Sequence, residues 1–214
     1  MNKVSTDLES TSNGKLEHIT MLIALVSDHL TKMVEELDRR AISLLIDELT
    51  KADAIFLMGA GRSGLVARAF GMRLMHVGFR AYIVGETTTP AVKEDDLVIV
   101  VSGSGETSSI ASLGRVAKQL GAKVATFTSN PNSTLGKLSD IVVYVSGAPY
   151  RKTQHNLEKD YLERHMMGAY RRLTPLGTVF EISTLVLGDA IIAELIARMG
   201  ASEEELKSRH STLE

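Results

Sequence analysis

The chain has 214 residues, of which 44% are apolar and 23% charged, with a formal net charge of -2 and no cysteine. That length suits one α/β domain with a sizeable core, and the slight negative balance removes any global electrostatic case for nucleic acid or an anionic membrane as partner. The lack of cysteine excludes disulfides, thiolate metal ligands and a cysteine nucleophile together.

Residues 1–14 are polar and rich in Ser and Thr, which predicts a disordered tail, and they lack the apolar core of a signal peptide, so a cytoplasmic protein is expected. From Leu16 to Leu37 the positions Ile19, Leu22, Ile23, Val26, Leu30, Met33 and Val34 recur at helical spacing, and a second helix is predicted over Arg40–Lys51. Residues 1–50 carry five Lys/Arg against nine Asp/Glu, a net of -4, which disfavours a DNA-binding helix pair.

Beyond this the chain alternates. Strands are predicted at Ala54–Met58, Ala81–Val84, Leu97–Val101, Val124–Phe127 and Ile141–Val145. Helices are expected from the Gly59–Gly64 turn to Val77, over Ser108–Leu120, and briefly over Ser133–Leu138, with Gly78 and Gly121 as stops. Leu97–Val101 is continuously apolar, as a strand buried on both faces should be. The alternation predicts an α/β fold with a doubly wound, five-stranded parallel sheet flanked by helices, in a single domain over 15–214. Ser146–Pro175 breaks the rhythm with six Lys/Arg, three Asp/Glu and two histidines, and one helix is expected around Leu157–Tyr170. A solvated excursion or oligomer arm, a basic flap over an anionic site and a nucleic-acid contact all fit it. Gly177–Met199 reads as a long apolar helix, but Glu181, Asp189, Glu194 and Arg198 interrupt it, which argues against a membrane span. Ser202-Glu-Glu-Glu205 is a capping-box start for a last short helix.

Two turns carry the chemistry. Gly59-x-Gly61-x-x-Gly64 after a strand fits a dinucleotide fingerprint, with Glu86 as ribose acid, but Arg62 and Ser63 make the turn polar. Ser102-Gly-Ser-Gly-Glu-Thr107 follows the third strand and offers hydroxyls and backbone N–H groups suited to a phosphate. Two such turns at the carboxyl ends of neighbouring strands suggest one small anion between them. No Walker lysine pattern is present, and His155 and His165 lack metal-ligand spacing, so no metal is assigned.

In these two turns the chain resembles the sugar isomerase (SIS) domain family. Within it, Arg73-Leu-Met-His-Val-Gly78, Gly85-Glu-Thr-Thr-Thr-Pro90, Pro175-Leu-Gly-Thr-Val-Phe-Glu181 and the ending Arg209-His-Ser-Thr-Leu-Glu214 look like the 6-phospho-3-hexuloisomerases, over about Leu37–Glu214. The Ser146–Leu173 connection is longer than that family usually has. The resemblance implies interconversion of 3-hexulose 6-phosphate and fructose 6-phosphate without metal or organic cofactor, in a homo-oligomer with a tetramer favoured. It implies a phosphate and sugar site built from Arg62, Ser63, Thr87, Ser102, Gly103, Ser104, Gly105, Glu106 and Thr107. Glu181 would be the proton acceptor, with His76 or His210 assisting.

Glu181 has a competing role, because Thr178-Val-Phe-Glu181 is itself a capping box. Its helix is apolar on nearly every side, however, and a carboxylate held partly out of water suits proton abstraction near neutral pH. His76 ends an otherwise apolar helix and also fits a structural role. An isomerase of another phosphosugar, a non-catalytic sugar-phosphate sensor and a dinucleotide enzyme stand as alternatives.

Overall fold

A computed structural model describes residues 16–147 and 177–210 of the chain. The tail at 1–14, all but the first two residues of Ser146–Pro175 with His155 and His165, and the last four residues lie outside the described residues.

The elements, in order, are α1 (Glu17–Glu36), α2 (Arg39–Lys51), β1 (Ile55–Gly59), α3 (Gly61–Val77), β2 (Ala81–Ile83), β3 (Leu97–Val101), α4 (Ser108–Gln119), β4 (Lys123–Thr128), α5 (Thr134–Leu138), β5 (Ile141–Tyr144), α6 (Thr178–Met199) and α7 (Glu203–Ser208). Contacts divide the described residues into two compact units, the first containing α1 and the second made of 37–147 with 180–210. In the first, α1 leaves Ile19, Met21, Ile23 and Val34 exposed while His29 is buried.

The second unit holds a five-stranded sheet of order β2-β1-β3-β4-β5 with every pair parallel. β3 is buried along its whole length, which is why its sequence is an unbroken apolar run. The side chains divide the sheet's two faces. Phe56, Met58, Val98, Val100 and Val124 pack with Ile110, Ala111 and Ala117 of α4 and Leu135 of α5. On the other face the Phe70 ring of α3 meets Phe127 of β4 edge-on at 6.1 Å. Helices therefore cover both faces, as the alternation predicts.

The caps follow local chemistry. Asp38 accepts from the Ala41 N–H at 2.9 Å and starts α2. Ser133 starts α5 by accepting from Gly136, and Ser202 and Glu205 form the predicted capping box of α7. Gly78, in the left-handed conformation at φ 111°, closes α3. No helix among the described residues is long and apolar enough to cross a membrane.

Candidate active site

With the order 2-1-3-4-5, the chain reverses its direction of sheet growth between β1 and β3. Ligands in open parallel sheets bind at such a switch point, outside the carboxyl ends of the strands. Here the two strands end level, since Gly59 is in register with Val101. α3 and α4 rise directly from them, and both begin without a side-chain cap: the N-cap of α3 is Ala60, and the Thr107 hydroxyl does not bond the start of α4. Neither helix has an acid in its first turn. The intrahelical ladders begin at Gly64 N–H to Ala60 O and at Ala111 N–H to Thr107 O. The N–H groups before them are directed out of the helix ends toward the groove, where an anion is favoured.

One boundary differs from the sequence expectation. The Gly59–Gly64 stretch reads as a turn followed by a helix, whereas α3 already begins at Gly61, so Arg62 and Ser63 sit on its first turn. The glycines at its base are closely packed. A Cβ on Gly64 would lie 2.7 Å from the Gly59 carbonyl oxygen, and one on Gly59 would lie 2.9 Å from the Gly64 nitrogen. The dinucleotide-like spacing of these glycines thus answers to the strand–helix approach. Glu86, the ribose acid of that alternative, is exposed and paired with Arg68 of α3.

The Ser102–Thr107 loop is tied down at nearly every residue. The Ser102 N–H donates to Phe127 O at 3.0 Å, and Ser102 is buried. The Gly103 carbonyl accepts from the Ser129 N–H (3.0 Å), the Ser129 hydroxyl (2.7 Å) and the Thr128 hydroxyl (3.1 Å). Gly105, at φ 66°, donates to Ser102 O and accepts from the Leu135 N–H, both at 3.1 Å. Ser104 is exposed, its hydroxyl accepting from the Glu106 N–H at 3.2 Å. Glu106 is turned to α5: its two oxygens accept from the Thr134 N–H (2.8 Å) and the Thr134 hydroxyl (2.7 Å). These hydrogen bonds hold the Glu106 carboxyl below its ordinary value of 4.5. Sequence reading places Glu106 beside a ligand; its observed work is to fasten the loop to the start of a neighbouring helix that has no acid of its own.

Glu181 lies in the first turn of α6, its side chain 10% exposed, and its Oε2 accepts a charge-assisted hydrogen bond from Arg62 Nε. The preceding Phe180 ring is what lies against the loop. A Cβ on Gly103 would be 3.0 Å from Phe180 Cδ1, and one on Gly147 would be 3.7 Å from Phe180 Cβ. The carboxylate is therefore tied to α3 by Arg62 and indexed to the Ser102–Thr107 loop through Phe180. Sequence reading missed both the Arg62–Glu181 pair and the Phe180 seat. The glycines at 103 and 147 are the only traces such packing leaves in a sequence.

The structure gathers Arg62, Ser63, Ser102, Gly103 and Glu181 at one end of the sheet. Thr87 stands on the same carboxyl edge, exposed, in the turn after β2. His76 and His210 are elsewhere. Their rings stack with centroids 3.9 Å apart, and Arg209 Nη1 donates to the carbonyls of His76 (3.4 Å) and Val77 (3.2 Å) at the end of α3. Thirteen residues of helix, about 20 Å at 1.5 Å per residue, separate His76 from Ser63. Within one chain the histidines do not reach Glu181. Among the described residues, no group of three or more His, Asp or Glu could hold a metal ion.

The SIS domain model matches residues 48–155. A protein of Aeropyrum pernix is 40% identical over 94% of this chain and 96% of its own. The 3-hexulose-6-phosphate isomerase of Bacillus subtilis is 38% identical over 91% of this chain and 98% of its own. Among solved structures, a Methanococcus jannaschii protein with an inferred function of 3-hexulose-6-phosphate isomerase is 33% identical, covering 91% of this chain and 99% of its own with a TM-score of 0.73. A family model over half the chain, relatives aligned over nearly all of it and the two glycine-flanked turns at the switch point agree: the chain belongs to the SIS domain family and is an isomerase.

Proposed function

We propose that this phosphosugar isomerase interconverts 3-hexulose 6-phosphate and fructose 6-phosphate by proton transfer through an enediolate, with Glu181 as the base. The observation that carries this reading is the pair of uncapped helix ends, α3 and α4, at the switch point, with a mostly buried carboxylate beside them. The names of the relatives supply the sugar. In this reading the phosphate sits on the leading N–H groups of the two helices, with the hydroxyls of Ser63, Ser104 and Thr107 around it, and the carbon chain runs toward Glu181.

The reaction then needs little. Glu181 takes the proton from C3 of fructose 6-phosphate, the C–H electrons form the C2=C3 bond, and the C2 oxygen takes up charge and then a proton. Loss of the proton on O3 forms the C3 carbonyl, and Glu181 returns its proton to C2. Atoms and electrons balance within the sugar. A donor to the C2 oxygen lowers the barrier, and His76 or His210 fills that role only if another copy of the chain presents it. Exposed Leu65, Met72 and Met75 on α3 and Leu185 and Val186 on α6 support such a homo-oligomer.

The test is Glu181→Gln, followed by NMR of fructose 6-phosphate in deuterated water. Loss of a general base typically costs 10²–10⁴-fold, so turnover and deuterium entry at C3 should fall by about that factor while binding stays near wild type. Retention of most turnover would remove Glu181 from the role. Turnover on another ketose phosphate in preference to fructose 6-phosphate would replace the substrate.

A further inference from the structure

We propose that Arg62 is a positioning residue for Glu181, setting the orientation of the base rather than gripping the phosphate; this rests on the reading of Glu181 as base. The two side chains come from first turns of different helices, 119 residues apart in sequence, and meet through Arg62 Nε and Glu181 Oε2. Their exposures are unequal. The arginine side chain is 59% exposed and the glutamate 10%. An ion pair made only for the surface would have both partners in water. Here the arginine reaches from the mouth of the groove to a carboxylate that is largely enclosed.

The geometry of the contact matters as much as its charge. Arg62 engages Oε2 through Nε, the donor nearest its stem, and not end-on through its terminal nitrogens. This leaves Oε1 as the oxygen that meets the sugar and restrains rotation about the last torsion of the glutamate. That torsion is the softest in the side chain, with a broad two-fold preference. On the other side, Phe180 wedged at Gly103 fixes the backbone of the same turn. Backbone and carboxylate are thus restrained by separate contacts, which is what a base needs if it is to meet a C–H bond in line. The phosphate has the leading N–H groups of two helices and the loop hydroxyls, and does not need Arg62.

The experiment is a comparison of Arg62→Ala, Arg62→Lys, Glu181→Gln and the double variant Arg62→Ala/Glu181→Gln. It reads kcat and KM on fructose 6-phosphate and the affinity for inorganic phosphate. A 1 Å misplacement of a catalytic group costs about 10²-fold. Arg62→Ala should therefore lower kcat by about that factor, with KM and phosphate affinity within about threefold of wild type. Arg62→Lys should not restore kcat, because lysine has no donor at the Nε position. Free guanidinium should restore part of the turnover of Arg62→Ala in a saturable way, and ammonium should not. The double variant should be no worse than Glu181→Gln alone, since groups acting as a unit are not additive.

A raised KM and weakened phosphate binding with kcat intact would make Arg62 a phosphate ligand and overturn the proposal. So would no change in either constant. If Glu181→Gln itself retains turnover, the base is misassigned and the reading beneath the proposal fails instead.

Discussion

Replacing Gly105 with alanine tests how the Ser102–Thr107 loop is held. Gly105 lies at φ 66°, and a Cβ built there falls on the Ser133 hydroxyl with Ser133 Cβ only 2.5 Å away. Rotating the serine does not help, because its Cβ cannot move without the backbone of the α5 cap. A left-handed alanine costs roughly 1–2 kcal/mol, and the overlap adds about 1–3 kcal/mol as in other overpacked sites. Gly105→Ala should therefore lose roughly 2–5 kcal/mol. Ser133→Gly removes both clashing atoms and, because glycine is a tolerable cap, costs by itself only about a few tenths of a kcal/mol. In the double variant only the left-handed strain and a yielding contact with the Thr128 hydroxyl at 3.2 Å remain. Urea unfolding of the four proteins at constant m gives the coupling, expected at about 1–3 kcal/mol in favour of the double variant. Additivity within about 0.5 kcal/mol would refute the claim that the loop rests on the start of α5.

Two other outcomes follow from single groups. The Glu106 carboxyl is held below 4.5 by Thr134, so its contribution to stability is present in full above that value and disappears as the pH falls through the lower folded value. Glu106→Gln should flatten that acid limb in pH-dependent unfolding, and an unchanged limb would show that the Thr134 bonds do not form in solution. Ser183 is buried and its hydroxyl has no partner among the described residues, so Ser183→Ala should leave stability unchanged or raise it by about 1 kcal/mol in thermal unfolding. A clear loss would mean that the hydroxyl has a partner after all.

The sheet was legible because its strands are short, apolar and separated by glycine and polar turns. Leu97–Val101 matches its strand residue for residue, and Ser202 with Glu205 announced the last helix. The start of α3 was misjudged because Gly59, Gly61 and Gly64 signal a turn whether they are needed for a ligand or for the contact between Gly59 and Gly64. Residues meeting across the fold were less legible. Nothing in the order of letters ties Arg62 to Glu181, or Glu106 to Thr134, since both pairs form only once the helices have packed. The stacking of His76 on His210 has no trace in the sequence, where each histidine stands as a separate candidate, and the length of α3 is what separates them from the carboxylate that one of them is expected to assist.

The bare starts of α3 and α4 have a consequence for anyone wishing to make this protein hardier. A survey for easy stabilising changes would choose Ala60 first, since aspartate or serine in place of alanine at an N-cap commonly adds about 1 kcal/mol. It would pass over Thr107, a residue type that looks like a cap although its hydroxyl does not act as one. A carboxylate at position 60 would also place a permanent negative charge where the proposed substrate brings its own. At this edge of the sheet, a stabilising cap and the proposed phosphate would draw on the same few N–H groups.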